Sequence, residues 1–139
     1  MNPLEVEKGA TAYLRGLTTI ASTVQVHTSV ASQDVDFERP AVVVQAQNSE
    51  HRGFAASVFD IEISVRTPSM AATLADHSSV VGAIDTGVRN QANFKTAFNA
   101  AATGMTLAGT SPPQTGAPVF EDRAWISTIT VNAGIVRTA

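Results

Sequence analysis

Cysteine is missing from the 139-residue chain. Its absence excludes disulfides, thiolate metal sites and a cysteine nucleophile, and it fits a reducing cytoplasm without requiring one. Aromatic residues make up 6% of the chain and charged residues 15%. A modest core of Val, Ile, Leu and Phe is therefore expected, under a polar surface of low charge that is compatible with packing against other subunits. No apolar run approaches the roughly 18 residues of a membrane span. The opening MNPLEVEKGA is acidic and mixed, which argues against a signal peptide. An excess of positive charge is also lacking. Nine basic residues against 12 acidic ones give a net charge of −3, which disfavours nonspecific duplex binding. The length suits one domain spanning residues 1–139.

Catalytic signatures are absent as well. The nucleophile elbow G-x-S-x-G, the phosphate-binding loop G-x-x-x-x-G-K and the H-E-x-x-H metal motif do not occur. His27, His51 and His77 have no ligand spacing, and His77 reads as a structural residue on the rim of a helix stripe. The trio Asp34, Asp36 and Glu38 offers alternate carboxylates to a hard cation. It lacks the glycine turn and distal Glu of a calcium loop, so a solvated acidic loop is the favoured reading. Glu121-Asp122-Arg123 reads as a solvated turn. No catalytic residue, cofactor or metal is expected, and function falls to surfaces rather than to a pocket.

The clearest positive signal is VFDIEISVRT at 58–67. Phe59, Ile61, Ile63 and Val65 alternate with Asp60, Glu62, Ser64 and Arg66, which predicts a strand with one face in the core and one face wet. Pro68 ends it, and Ser69 is expected to cap the helix that follows. Before it, Asn2-Pro3 opens a helix to about Leu17, with Glu5 and Glu7 in its first turn as the helix dipole prefers. A short strand follows at 24–30, then a loop from Ala31 to Pro40 and a strand from Ala41 to Gln47. A long polar turn is expected from Asn48 to Ala56. After it, Leu74, Val81, Ile84 and Val88 mark the main helix. Asn93 is expected to cap a second helix that Gly104 ends. Met105 to Gly109 suggests a short strand, SPPQTGAP a loop, and Ala124 to Arg137 a long final strand. The order α-β-β-β-α-α-β-β predicts an α+β fold, a mixed, mostly antiparallel sheet with helices packed on one face.

Four stretches taken together resemble a known family: MNPLEVEKGATAYL, RPAVVVQAQ, VFDIEISVRTPSMAATLADHSSVVGAIDTGV and DRAWISTITVNAGIV. They are similar to the phage tail terminator proteins, also called tail completion or minor tail proteins, of long-tailed phages and prophages. The resemblance implies a non-enzymatic virion protein that assembles in the host bacterial cytoplasm. It would form a homo-oligomeric ring, usually a hexamer, at the head-proximal end of the tail. The ring would stop tube polymerisation and present a surface for head–tail joining. The implied partners are further copies of the chain, the tail tube protein and the head–tail connector or neck proteins. DNA would pass through an acidic lumen without specific binding, and no membrane is involved. Interface candidates on this reading are Asp60, Glu62 and Arg66 on the wet strand face, Asp34, Asp36 and Glu38 in the acidic loop, and His51 and Arg52 in the polar turn. The alternatives are a head–tail connector of the same system, a small metal-dependent hydrolase using Asp34, Asp36, Glu38 and His51, and a ligand-binding module.

Overall fold

The structure is a computed structural model that describes residues 2–20, 23–31, 35–51, 55–70 and 72–138, with the backbone alone at residue 51. Helix α1 is Pro3–Arg15. The Asn2 side chain accepts the Leu4 N–H at 3.0 Å, and Pro3 occupies the first turn, where its missing N–H costs nothing. Strands β1 (Gln25–Thr28), β2 (Ala41–His51) and β3 (Ala56–Pro68) follow, then helices α2 (Leu74–Arg89) and α3 (Gln91–Ala101). Strands β4 (Met105–Thr110), β5 (Gln114–Thr115), β6 (Val119–Glu121) and β7 (Ala124–Arg137) complete the described chain.

All the strands join one sheet in the order β1-β2-β3-β7-β4, with β5 and β6 also paired to β7. Among the described residues only β1–β2 is parallel. The fold is α+β, a mixed and mostly antiparallel sheet. The hydrophobic alternation of β3 dictates its place: Phe59, Ile61, Ile63 and Val65 are fully buried on one face. Val42, Val44, Ile129, Val131 and Ile135 join them from the neighbouring strands. The same core takes Val6, Tyr13 and Leu14 from α1, Val81, Ile84 and Val88 from α2, and Phe94 and Phe98 from α3. The helices therefore cover one sheet face only.

Four details differ from the sequence reading. The main helix is not capped by Ser69. Its cap is Thr73, which forms a reciprocal capping box with Asp76, while Ser69 donates to the Arg123 carbonyl. Asn90, not Asn93, caps α3 by accepting the Asn93 N–H. The polar turn after β2 is shorter than expected, because β2 continues to His51 across a bulge between Asn48 and Glu50 and β3 begins at Ala56. The SPPQTGAP stretch is not all loop, since Gln114–Thr115 pair with β7 at Thr130 and Ile129.

Candidate interaction surface

Strand register determines what the uncovered sheet face displays. Glu62 lies between Gln45 and Thr130, Asp60 between Gln47 and Asn132, and Ser64 between Val43 and Thr128. Alternation places all of these on the side away from the helices. Asp60 and Glu62 make no hydrogen bond or ion pair among the described residues. Their closest lateral neighbours are neutral amides and hydroxyls, so the centre of the open face is a polar field carrying two uncompensated carboxylates.

Arg66 occupies the same face but is already engaged. Its guanidinium lies 5.1 Å from the Phe37 ring centroid and donates to the Phe37 carbonyl at 3.2 Å. It pins the loop that leads into β2 against the sheet. The acidic loop is likewise partly spent on its own conformation. The Asp36 carboxylate accepts the Glu38 N–H at 3.0 Å, a local turn. The Asp36 backbone exchanges two hydrogen bonds with the Gln25 side chain. Glu38 borders the groove beside Phe37 and Arg66. Asp34, Arg52 and the side chain of His51 lie outside the described residues. Among the described residues, no group of three His, Asp or Glu is arranged to hold a metal ion.

Two end features complete the surface; sequence reasoning missed the first and placed the second only as a solvated turn. The first is a cluster of exposed apolar side chains where β3 ends and β7 begins. Met70 is 93% exposed, Phe37 66% and Phe120 53%. Phe37, Met70, Asp122 and Arg123 border a groove of about 490 Å³. The second is the β6–β7 hairpin, whose two-residue turn holds Asp122 at φ 51° and Arg123 at φ 60°. Two consecutive left-handed residues fit the twist of a tight hairpin, and Asn-Gly or Asp-Gly would signal it. Asp-Arg does not, which is why the turn was read only as solvated.

On each of the edge strands β1 and β4 a helix side chain takes up one outward backbone group. Arg15 donates to the Val26 carbonyl on β1 through Nε at 3.2 Å and Nη2 at 2.7 Å. Asn99 accepts the Leu107 N–H on β4 at 2.7 Å. Exposed edges invite strand addition, and these contacts blunt it.

Beneath the helices lie two buried polar centres. Glu7, 2% exposed, accepts the Ser29 N–H at 2.9 Å and the Ala46 N–H at 3.1 Å, as well as the Ser29 hydroxyl. The β1–β2 ladder ends at Thr28 and Val44, so this carboxylate serves backbone donors beyond the last paired residues. Glu7 is thus a tie between α1 and the sheet and not only the dipole partner expected from its position. His77 is fully buried and bridges two strands, with Nδ1 2.8 Å from Thr67 Oγ1 and Nε2 2.8 Å from Ser127 Oγ. Burial holds its imidazole below the ordinary value of 6.5. The order Ser–His–Thr mimics a nucleophile, a base and an orienting group. However, a base with a depressed pKa whose hydrogen-bond partners among the described residues are two hydroxyls and no carboxylate is poorly suited to take a proton. The structural role expected for His77 accounts for the geometry.

No protein-family model matches the chain, and no curated protein matches it. No helix among the described residues is long and apolar enough to cross a membrane.

Proposed function

We propose that this chain is a structural virion protein, a tail terminator that closes the head-proximal end of a phage tail tube as a homo-oligomeric ring. The observation that carries the reading is the uncovered sheet face. It is broad and polar, and helix side chains already take up a backbone group at Val26 and at Leu107 on the edge strands, which favours contacts through the face and the sheet ends over strand addition there. A ring requires different surfaces on the two sides of each subunit and at its two ends. The open face, the helix layer and the apolar cluster around Met70 are three distinct surfaces of the kind such a ring uses. The acidic balance of −3 suits a lumen through which DNA slides without adhering. The reading includes no enzymatic step.

The direct test is tube growth. Purified chain is added to a polymerising phage tail tube protein, and tube lengths are measured by electron microscopy. Short tubes bearing a ring at one end are expected. Tubes that grow to the same length with and without the chain, bare at both ends, would contradict the proposal.

A further inference from the structure

We propose that residues 112–119 form a strap that opens and closes as a unit over the edge of β7, latched to α2 by the hydrogen bond between Thr115 and Asp85. The device belongs to the single subunit and holds whether or not copies of the chain form a ring.

The two sides of β7 are covered very differently. On one side β3 pairs with it from Ala124 to Val136 without a break. On the other, the middle of β7 has only β5, two residues long, and β6, three. Pro112, Pro113 and Pro118 carry no N–H, so the strap cannot donate to a ladder at those positions. The Gly116 N–H donates to the Thr128 carbonyl at 2.9 Å, and Gln114 and Thr115 stand beside Thr130 and Ile129. A cover this short gives way at lower cost than the sheet beneath it.

Little holds the strap down from below. Of residues 112–121 only Pro113 is buried, and the others are exposed. Between strap and helix runs a groove of about 330 Å³, bordered by Val81, Gly82 and Asp85 on α2 and by Thr115, Gly116 and Pro118 on the strap. A Cβ added to Gly82 would meet nothing within 4 Å, whereas the spaces at Gly9 and Gly87 are filled by Phe98 and Leu17. The strap therefore leaves that stretch of α2 uncovered. Opening breaks hydrogen bonds but exposes little apolar surface.

Both ends of the strap are anchored. Ser111 donates its N–H to the Asn132 carbonyl at 2.9 Å, and its hydroxyl accepts the Asn132 N–H at 3.2 Å. At the far end the rings of Phe120 and Trp125 pack with centroids 4.7 Å apart. Movement is thus confined to the residues between. There, among the described residues, one side-chain hydrogen bond joins strap to helix. The Thr115 hydroxyl donates to Asp85 Oδ2 at 2.5 Å, while Arg89 Nε donates to Oδ1 at 2.7 Å and fixes the carboxylate.

Opening bares a strand edge. Thr128 turns its carbonyl to the strap, so the even-numbered residues of this stretch aim their backbone groups at it and the odd-numbered ones aim theirs at β3. Without the strap, Thr128 and Thr130 present unpaired N–H and C=O groups, as an edge strand does.

Hydrogen exchange read amide by amide tests the device. The Thr128 and Thr130 amides are expected to exchange about a hundredfold or more faster than those of Ile129 and Val131, and with one common opening equilibrium. Thr115→Val removes the latch hydroxyl and keeps a β-branched side chain. It should speed Thr128 and Thr130 together by about tenfold and leave Ile129 and Val131 unchanged. The cysteine-free chain also allows a staple. Positions 114 and 130 face each other, and residues so paired lie about 5.5 Å apart, within disulfide range. Oxidised Gln114→Cys, Thr130→Cys should slow the Thr128 amide about tenfold or more, and reductant should reverse the effect. Thr128 and Thr130 amides as slow as Ile129 and Val131 in the parent would overturn the opening, as would a staple that leaves Thr128 unchanged. Unaltered rates in Thr115→Val would overturn the latch.

Discussion

His77 is a residue-scale commitment with a measurable consequence. Its ring is enclosed between Thr67 and Ser127, and burial lowers its pKa from 6.5. The folded protein therefore holds His77 neutral at pH values where the unfolded chain takes up a proton. The stability this contributes is complete above the unfolded value and is lost as pH falls below about 6.5, at a slope of up to about 1.4 kcal/mol per pH unit. Urea titrations from pH 7.5 downward should show this loss in the parent and not in His77→Gln. Equal slopes in the two proteins would refute it. Asp76 and Asp85 act in a lower window. Hydrogen bonds from Thr73 lower Asp76, and those from Arg89 and Thr115 lower Asp85, so their contributions are present above about pH 4 and lost in stronger acid. The sequence places His77 on the rim of the helix stripe; its complete burial and its two hydroxyl partners, Thr67 and Ser127, come from strands 10 and 50 residues away and were not legible there. Nor was the tie made by Glu7. A glutamate near a helix start already has a sufficient local explanation, and its true partners, Ser29 and Ala46, lie 22 and 39 residues away.

Elements were legible where one segment's own pattern decided the outcome. In β3 and β7 alternation places Phe59, Ile61, Ile63 and Val65, and Ile129, Val131, Ala133 and Ile135, in the core, and both strands are legible with nearly their observed bounds. Strands β5 and β6 carry no such pattern. Their few residues become strands because β7 offers its edge, information that local sequence does not contain. The start of α2 was misread for a related reason: Ser69 and Thr73 are both capable caps, and the choice falls to Thr73 because Asp76 stands where it can answer. Packing between elements makes its own prediction at Gly9. A Cβ there would lie 2.5 Å from the Phe98 ring, where α1 crosses α3. Gly9→Ala would gain about 1 kcal/mol of helix propensity but force apart a packed contact at a cost of about 1–3 kcal/mol. Because Phe98 is fully buried and cannot swing away, the packing cost should win. A lowered urea midpoint is expected, and a raised one would show that the α1–α3 contact yields.

At the scale of the whole molecule, the architecture separates folding from association. The core and the two buried polar ties lie under the helices, whereas Asp60, Glu62 and the Asp122-Arg123 turn stand clear of them. Charge changes on the open face should therefore alter association and leave the subunit folded. Arg66 is the exception, because it anchors the Phe37 loop. The wet face of β3 was visible in the alternation. The apolar end around Met70 and the conformation of the turn depended on which distant segments the sheet brings together. On the proposed tail-terminator role, this chain closes on itself with a fixed number of copies. Native mass spectrometry across a concentration series, alone and with short tube assemblies, measures that number directly. The expected result is one dominant closed species, a hexamer of the 14.5 kDa chain, appearing without a run of ever-larger multimers. A monomer at every concentration and on every tube, or open-ended growth, would contradict the account.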